Sequence, residues 1–179
     1  SGTQLDLANV TVVGHSAGGQ LALWSAGFRG GGRDGFALSK VRPTAVVGLA
    51  AAADLADAFA LNSGSGAARA FLGGSPDEQS DRYQAASPIK LLPLGVRQLI
   101  IHGTADEALP VAHARNYVLA AIASGDDVEY VELKDGGHMD YLNPKSEAHA
   151  ALCRWLGKYV MKRVIHEADT SISLDMKTP

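Results

Sequence analysis

The sequence predicts an α/β fold, a mostly parallel sheet with flanking helices, on three observations. Short β-rich runs alternate with helical patterns, as parallel strands linked by crossovers require. Three of the four strand-like runs are apolar almost without interruption, which suits strands covered on both faces. The 179 residues contain one cysteine, so the chain relies on a buried core and not on a disulfide framework.

Taken in order, "NVTVVG" (Asn9 to Gly14) is the first strand, and "VTVVGHSAGGQLALW" carries it through a serine into a helix. "AVVGLAA" (Ala45 to Ala51) and "RQLIIHG" (Arg97 to Gly103) are the second and third strands. The fourth, "DVEYVEL" (Asp127 to Leu133), alternates imperfectly, with Val128, Tyr130 and Leu133 against Glu129 and Glu132. It is therefore the expected edge strand. Ala114, Tyr117, Val118, Ala121 and Ile122 fall at helical spacing, as do Ala148, Ala151, Leu152, Trp155, Leu156, Tyr159 and Val160. Asn143 is the expected cap of the second helix, with Pro144 in its first position. "GFRGGGRDG" (Gly27 to Gly35) is a flexible loop, and Asp54 to Leu92 an irregular insertion with two short helices. Residues 1–162 form one domain on this reading, and 163–179 a polar tail that frays or docks loosely.

Formal net charge is −3 and the 16 basic residues are scattered, so no nucleic-acid surface is expected. No apolar run reaches the ~20 residues that span a bilayer, and no leader pattern opens the chain. We expect a soluble, cytoplasmic protein with no membrane partner and no metal or organic cofactor. Cys153, in a helical pattern, reads as a small apolar filler.

"GHSAG" (Gly14 to Gly18) has the spacing G-x-S-x-G between a strand and a helix. In that context Ser16 sits in a strained turn with its hydroxyl exposed above the sheet, and Gly14 and Gly18 spare the backbone a Cβ clash. The competing reading is a Gly-Ser turn whose serine caps the helix. A serine hydroxyl becomes a nucleophile only beside a base, and the base needs an acid to orient it. Asp106 follows the third strand by three residues and His138 the fourth by five, so both reach the rim where open α/β sheets place their sites. Asp106 also reads as a turn or cap residue, and His138 as an ordinary loop histidine. Asp140 is expected to help position the loop around His138. His102 and His15 read as packed residues, and His113, His149 and His166 as solvated ones.

The order Ser, Asp, His and the stretches "VTVVGHSAGGQLALW", "FLGGSPDEQSDRYQAASPI", "LIIHGTADEALP" and "GGHMDYLNP" resemble the α/β-hydrolase superfamily, more closely its esterase, arylformamidase and prolyl-oligopeptidase-like branch. The resemblance runs from about Asn9 to Leu156. It implies Ser16 as nucleophile, Asp106 as orienting acid, His138 as general base and the Ala17 N–H as oxyanion donor. It also implies that the insertion from Asp54 to Leu92 lies over the site as a small cap. The expected activity is that of a serine hydrolase of carboxylesterase type (EC 3.1.1), acting on a carboxylic ester or a formamide-like amide. A histidine base of ordinary pKa, ~6.5, predicts a rate that rises with pH through neutrality.

Members of the superfamily carry strands before the nucleophile strand, and a preceding loop supplies a second oxyanion N–H. No stretch here matches them, so the nucleophile strand is expected at a sheet edge with unpaired backbone groups, open to homodimer formation. The alternative function is a catalytically incomplete hydrolase fragment, or a non-catalytic association domain. A peptidase is a further reading within the hydrolase class.

Overall fold

The computed structural model describes residues 6–27 and 41–161; the predicted glycine loop from residue 28, the tail from 163 and His166 lie outside the described residues. Four strands, β1 (Thr11–His15), β2 (Ala45–Leu49), β3 (Arg97–Gly103) and β4 (Val128–Leu133), lie side by side in chain order and are parallel throughout. Each connection is a crossover, through α1 (Ala17–Gly27), through a helical insertion, and through α5 (Val111–Ala123). The carboxyl ends of all four strands therefore point to one rim.

Two cores explain why β2 and β3 read as continuous apolar runs. Successive side chains leave a strand on opposite faces. Val46 and Ile100 enter one core with Leu23 and Ala26 of α1 and Ala114, Tyr117 and Ala121 of α5. Val47, Leu49, Leu99 and Ile101 enter the other, against Ala148, Ala151 and Trp155 of α6 (Glu147–Leu156). Burying each aliphatic side chain this way contributes about 1.5–3 kcal/mol. The imperfect alternation of β4 has the same cause: Val128 and Tyr130 serve the first core, and Val131 and Leu133 the second. Among the described residues β4 is an edge, as its pattern predicts, and β1 is the other.

Helix details depart from expectation in instructive ways. The cap of α6 is Ser146, whose hydroxyl accepts from the His149 N–H at 3.1 Å. Asn143 instead closes a 3-10 turn (Asp140–Leu142) and accepts from the Lys145 N–H at 3.0 Å. The proline after it favours extended backbone at Asn143, so the helix starts three residues later. Cys153 is exposed, off the buried stripe of Ala148, Ala151 and Trp155, and so is not a core filler. Ile122 is likewise exposed at the end of α5.

The insertion contains three α-helices where two were expected: α2 (Leu55–Ala60), α3 (Ala67–Leu72) and α4 (Ser80–Ala86), then a 3-10 turn (Pro88–Leu91). Leu55, Ala68, Leu72 and Tyr83 form their own small core. His113, expected in solvent, is buried. Its Nε2 accepts from the Asp54 N–H at 3.1 Å, which leaves the ring proton on Nδ1 to be donated to Asp57 Oδ2 at 2.6 Å. The first turn of α5 thus anchors the start of α2.

Candidate active site

Ser16 stands between β1 and α1 with φ 55, a left-handed conformation that costs a non-glycine residue free energy. Its backbone is held from two sides: its N–H donates to Leu49 O at 2.8 Å, and its carbonyl accepts from the Gln20 N–H at 3.1 Å. The turn is so tight that a Cβ on Gly14 would lie 1.9 Å from the Gly18 carbonyl oxygen. Gly18, expected to share that steric role, has open space where a Cβ would stand; Gly19 takes the role instead, against Ala51 Cβ at 2.6 Å. The helix packs so closely on the second strand's end that the third glycine matters and the second does not.

Asp106 and His138 are brought together by crossing loops. The Thr104 N–H donates to Leu133 O at 2.9 Å and the Ala105 N–H to Gly136 O at 3.0 Å. A Cβ on Gly103 would lie 2.0 Å from that same Gly136 oxygen, so only glycine permits the approach. Asp140 does position the loop, its Oδ2 accepting from the Gly137 N–H at 2.9 Å.

The result is a continuous chain of contacts. His138 Nδ1 lies 2.7 Å from Asp106 Oδ2, and its Nε2 lies 3.0 Å from Ser16 Oγ. The carboxylate accepts, so the ring proton sits on Nδ1 and the Nε2 lone pair faces the serine hydroxyl. The Asp106 side chain has no exposed surface, and His138 keeps 19%. Asp106 Oδ1 also accepts from the Ala108 and Leu109 N–H groups at 2.9 and 2.8 Å. Both readings of Asp106 hold together: it organises a turn and meets the histidine, and donors on both oxygens are what permits a carboxylate to be buried.

His102 is fully buried beside it, donating from Nε2 to Leu109 O at 2.8 Å with Asp106 Oδ2 3.2 Å away. Burial holds its pKa below the ordinary histidine range. Its Nε2–H is committed to Leu109 O, and the shorter histidine contact on Asp106 Oδ2 is that of His138 at 2.7 Å. Tyr141 accepts from the Gly103 N–H at 2.8 Å, and burial pushes its phenol up to about 12.

His15 does more than pack. Its Nε2–H donates to the His138 carbonyl at 2.7 Å, and its ring centroid lies 4.8 Å from that of His138 and 5.4 Å from that of Tyr141. Its place beside Ser16 was the available signal. A strand position tells which way a side chain leaves the sheet, and says nothing of a loop 123 residues later that comes to meet it.

Beside Ser16, Ala17 and His138 opens a pocket of about 180 Å³, walled by Leu55, Ala58, Ala67, Ala68 and Phe71 of the insertion. Ala17 opens α1, so its N–H is among those that the helix leaves without an internal acceptor. Of the insertion's large apolar residues, Leu55 and Phe71 line the pocket, Leu72 and Phe59 pack in the small core, and Leu61 is exposed. Among the described residues no group of His, Cys, Asp and Glu is disposed to hold a metal ion, and no helix is long and apolar enough to cross a membrane.

Solved structures share this fold. A truncated carbohydrate esterase from gut microbiota superposes with a TM-score of 0.63 at 25% identity, over 75% of this chain and 54% of that one. An acetyl ester-xyloside bifunctional hydrolase from Caldicellulosiruptor lactoaceticus gives 0.63 at 21%, over 82% and 55%. Acylaminoacyl peptidase from Pyrococcus horikoshii gives 0.70 at 16%, over 88% and 25%. The chain thus spans about half the length of the esterases and a quarter of the peptidase. Comparison with curated proteins gives no match. Residues 1–163 match the prolyl oligopeptidase family, and the chain belongs to that family of α/β-hydrolases.

Proposed function

We propose that this chain carries the catalytic residues of a serine hydrolase that cleaves a carboxylic ester, or a formamide-like amide, through an acyl-serine intermediate. The observation that carries the reading is His138, placed between Ser16 Oγ at 3.0 Å and Asp106 Oδ2 at 2.7 Å. His138 Nε2 takes the hydroxyl proton as Ser16 Oγ bonds to the substrate carbonyl carbon. The same proton is then delivered to the departing alkoxide as the carbonyl reforms. Water, deprotonated by His138, releases the acid and restores the serine. Asp106 holds the imidazole in its Nδ1–H tautomer and stabilises the imidazolium. The Ala17 N–H is the donor we assign to the oxyanion; in other hydrolases losing one such donor costs about 10²–10³ in rate.

The apolar pocket of about 180 Å³ suits a short acyl chain, since a cavity of ~150 Å³ admits a benzene ring. Esterases among the similar folds support an ester substrate, and the acylaminoacyl peptidase keeps a peptide substrate in contention. A second reading, a hydrolase portion that associates without turnover, draws on β1 standing at a sheet edge among the described residues. Hydrolysis of p-nitrophenyl acetate by the chain and by Ser16→Ala, both checked for folding by circular dichroism, separates the two. Turnover that vanishes in the variant supports the hydrolase, and equal inertness of two folded proteins supports the second reading. A peptide p-nitroanilide run in parallel distinguishes esterase from peptidase.

A further inference from the structure

The pocket has a polar wall residue that the hydrolytic chemistry does not use. The polar side chains that line it are those of Ser16, His138, Ser63 and Gln20. Ser16 and His138 share the proton, and Ser63 Oγ is sealed from solvent. That leaves Gln20, on α1 one turn past the nucleophile. Its N–H donates to the Ser16 carbonyl at 3.1 Å, so ~5 Å of helix separates the two residues.

The Gln20 carboxamide is half used. Its Nε2 donates to Ala86 O at 2.7 Å, one of the carbonyls that the end of α4 leaves without an internal donor. A carbonyl can only accept, so that bond fixes which end of the amide is nitrogen and directs Oε1 away from Ala86 O. Oε1 has no hydrogen-bond partner among the described residues. Nor is it one of their unpartnered polar atoms sealed from solvent, which belong to Ser63, Gln98, His102 and Trp155. Gln20 as a whole is nevertheless only 6% exposed. Its oxygen is thus an open acceptor on an otherwise enclosed side chain. Gln20 and Phe71 also border the neighbouring cleft over Leu21 and Trp24, so Gln20 stands where the two hollows meet. The insertion's part of the pocket wall, Leu55, Ala58, Ala67, Ala68 and Phe71, has no side-chain donor to offer it.

We propose that Gln20 Oε1 is a specificity-determining acceptor: it takes a hydrogen bond from an O–H or N–H carried by the acyl chain, so that the preferred substrates are short acyl esters bearing such a donor a few bonds beyond the carbonyl. The placement on the acyl side rests on the hydrolase reading, in which the acyl carbon stays bonded to Ser16 within this pocket. An amide oxygen only accepts, so an ether or a methyl group in the donor's place leaves it unpaired. A site that bonds a polar atom discriminates against the analogue that lacks it.

The test compares p-nitrophenyl 3-hydroxybutyrate with p-nitrophenyl 3-methylbutyrate, in which a methyl group of similar size replaces the hydroxyl. For each ester kcat/KM is divided by the hydroxide-catalysed rate, with Ser16→Ala as the control for uncatalysed background. Wild type is expected to prefer the hydroxylated ester about tenfold, the worth of one hydrogen bond; no preference overturns the proposal. In Gln20→Met, which matches the side chain's length and offers no acceptor oxygen, the preference should vanish. Gln20→Glu also loses the bond to Ala86 O but keeps an acceptor, and should retain most of the preference. Equal ratios in wild type and Gln20→Met overturn the assignment. So does a preference lost equally in Gln20→Glu, since the effect would then lie in the tie to α4. If the folded wild type turns over neither ester, the hydrolase reading fails separately, and binding decides the matter for Gln20. 3-Hydroxybutyranilide and 3-methylbutyranilide, titrated into the Ser16→Ala chain, should show the same preference, lost when Gln20→Met is added; no preference, or no binding of either, overturns it.

Discussion

The two sides of the pocket are built on opposite plans. On the sheet side Asp106, His138 and His15 are cross-bonded, with Asp106 oxygens meeting four N–H donors or histidine nitrogens and the His138 carbonyl itself tied down. On the insertion side the wall is apolar, built from Leu55, Ala58, Ala67, Ala68 and Phe71. Groups that exchange a proton must be held at fixed distances, and a cross-bonded network does that. On the proposed reading the cross-bonded side moves the proton and the apolar wall receives the acyl chain.

The comparison breaks most visibly on the sheet side. Ser16→Ala and His138→Ala are each expected to lower kcat for p-nitrophenyl acetate by about 10⁶, and the double variant by hardly more, because residues that act as a unit are not additive. Asp106→Asn leaves the shape intact and favours the wrong tautomer of His138, with an expected loss of about 10⁴. Steady-state and burst kinetics read both.

A smaller effect tests whether His15 positions the base. His15→Phe keeps a ring against His138 and Tyr141 and removes the hydrogen bond to the His138 carbonyl. We expect kcat to fall about tenfold, in line with one lost hydrogen bond, while KM changes little. His15→Gln, which can still donate, should recover part of the loss. Equal kcat in all three proteins contradicts the role.

His102 gives the sheet side a pH signature in stability. Its folded pKa lies below the ordinary value, so between the two values the unfolded chain binds a proton that the folded chain refuses. The stability it contributes is therefore complete above about 6.5, the unfolded value, and is lost as pH falls below it. Urea midpoints taken from pH 7.5 to 5.5 should decline less steeply in His102→Gln than in wild type. The smallest effect concerns the β1 edge: we propose weak self-association through it, read by sedimentation velocity over a concentration series and reduced by Val13→Lys, a charge on an exposed edge residue.

Local features were legible in the sequence where a short-range rule applied. The strands were marked by β-branched runs, and β3 begins and ends where its pattern does. Ser16, Asp106 and His138 each follow a strand end, so parallel order alone brings them to one rim. What escaped depends on segments distant in the chain. His113 looks solvated until Asp54 and Asp57 arrive from 59 and 56 residues away. Even the cap of α6 turned on competition, because Asn143 was claimed by the preceding turn before Ser146 could be passed over.

The most direct test of the central claim is covalent. A fluorophosphonate incubated with the folded chain reports an activated serine without requiring turnover, and peptide mapping by mass spectrometry locates the adduct. The account predicts one equivalent on Ser16, absent from Ser16→Ala and formed far more slowly in His138→Ala. A folded chain that takes up no reagent, or takes it up at another residue, would contradict the assignment of Ser16 as the nucleophile.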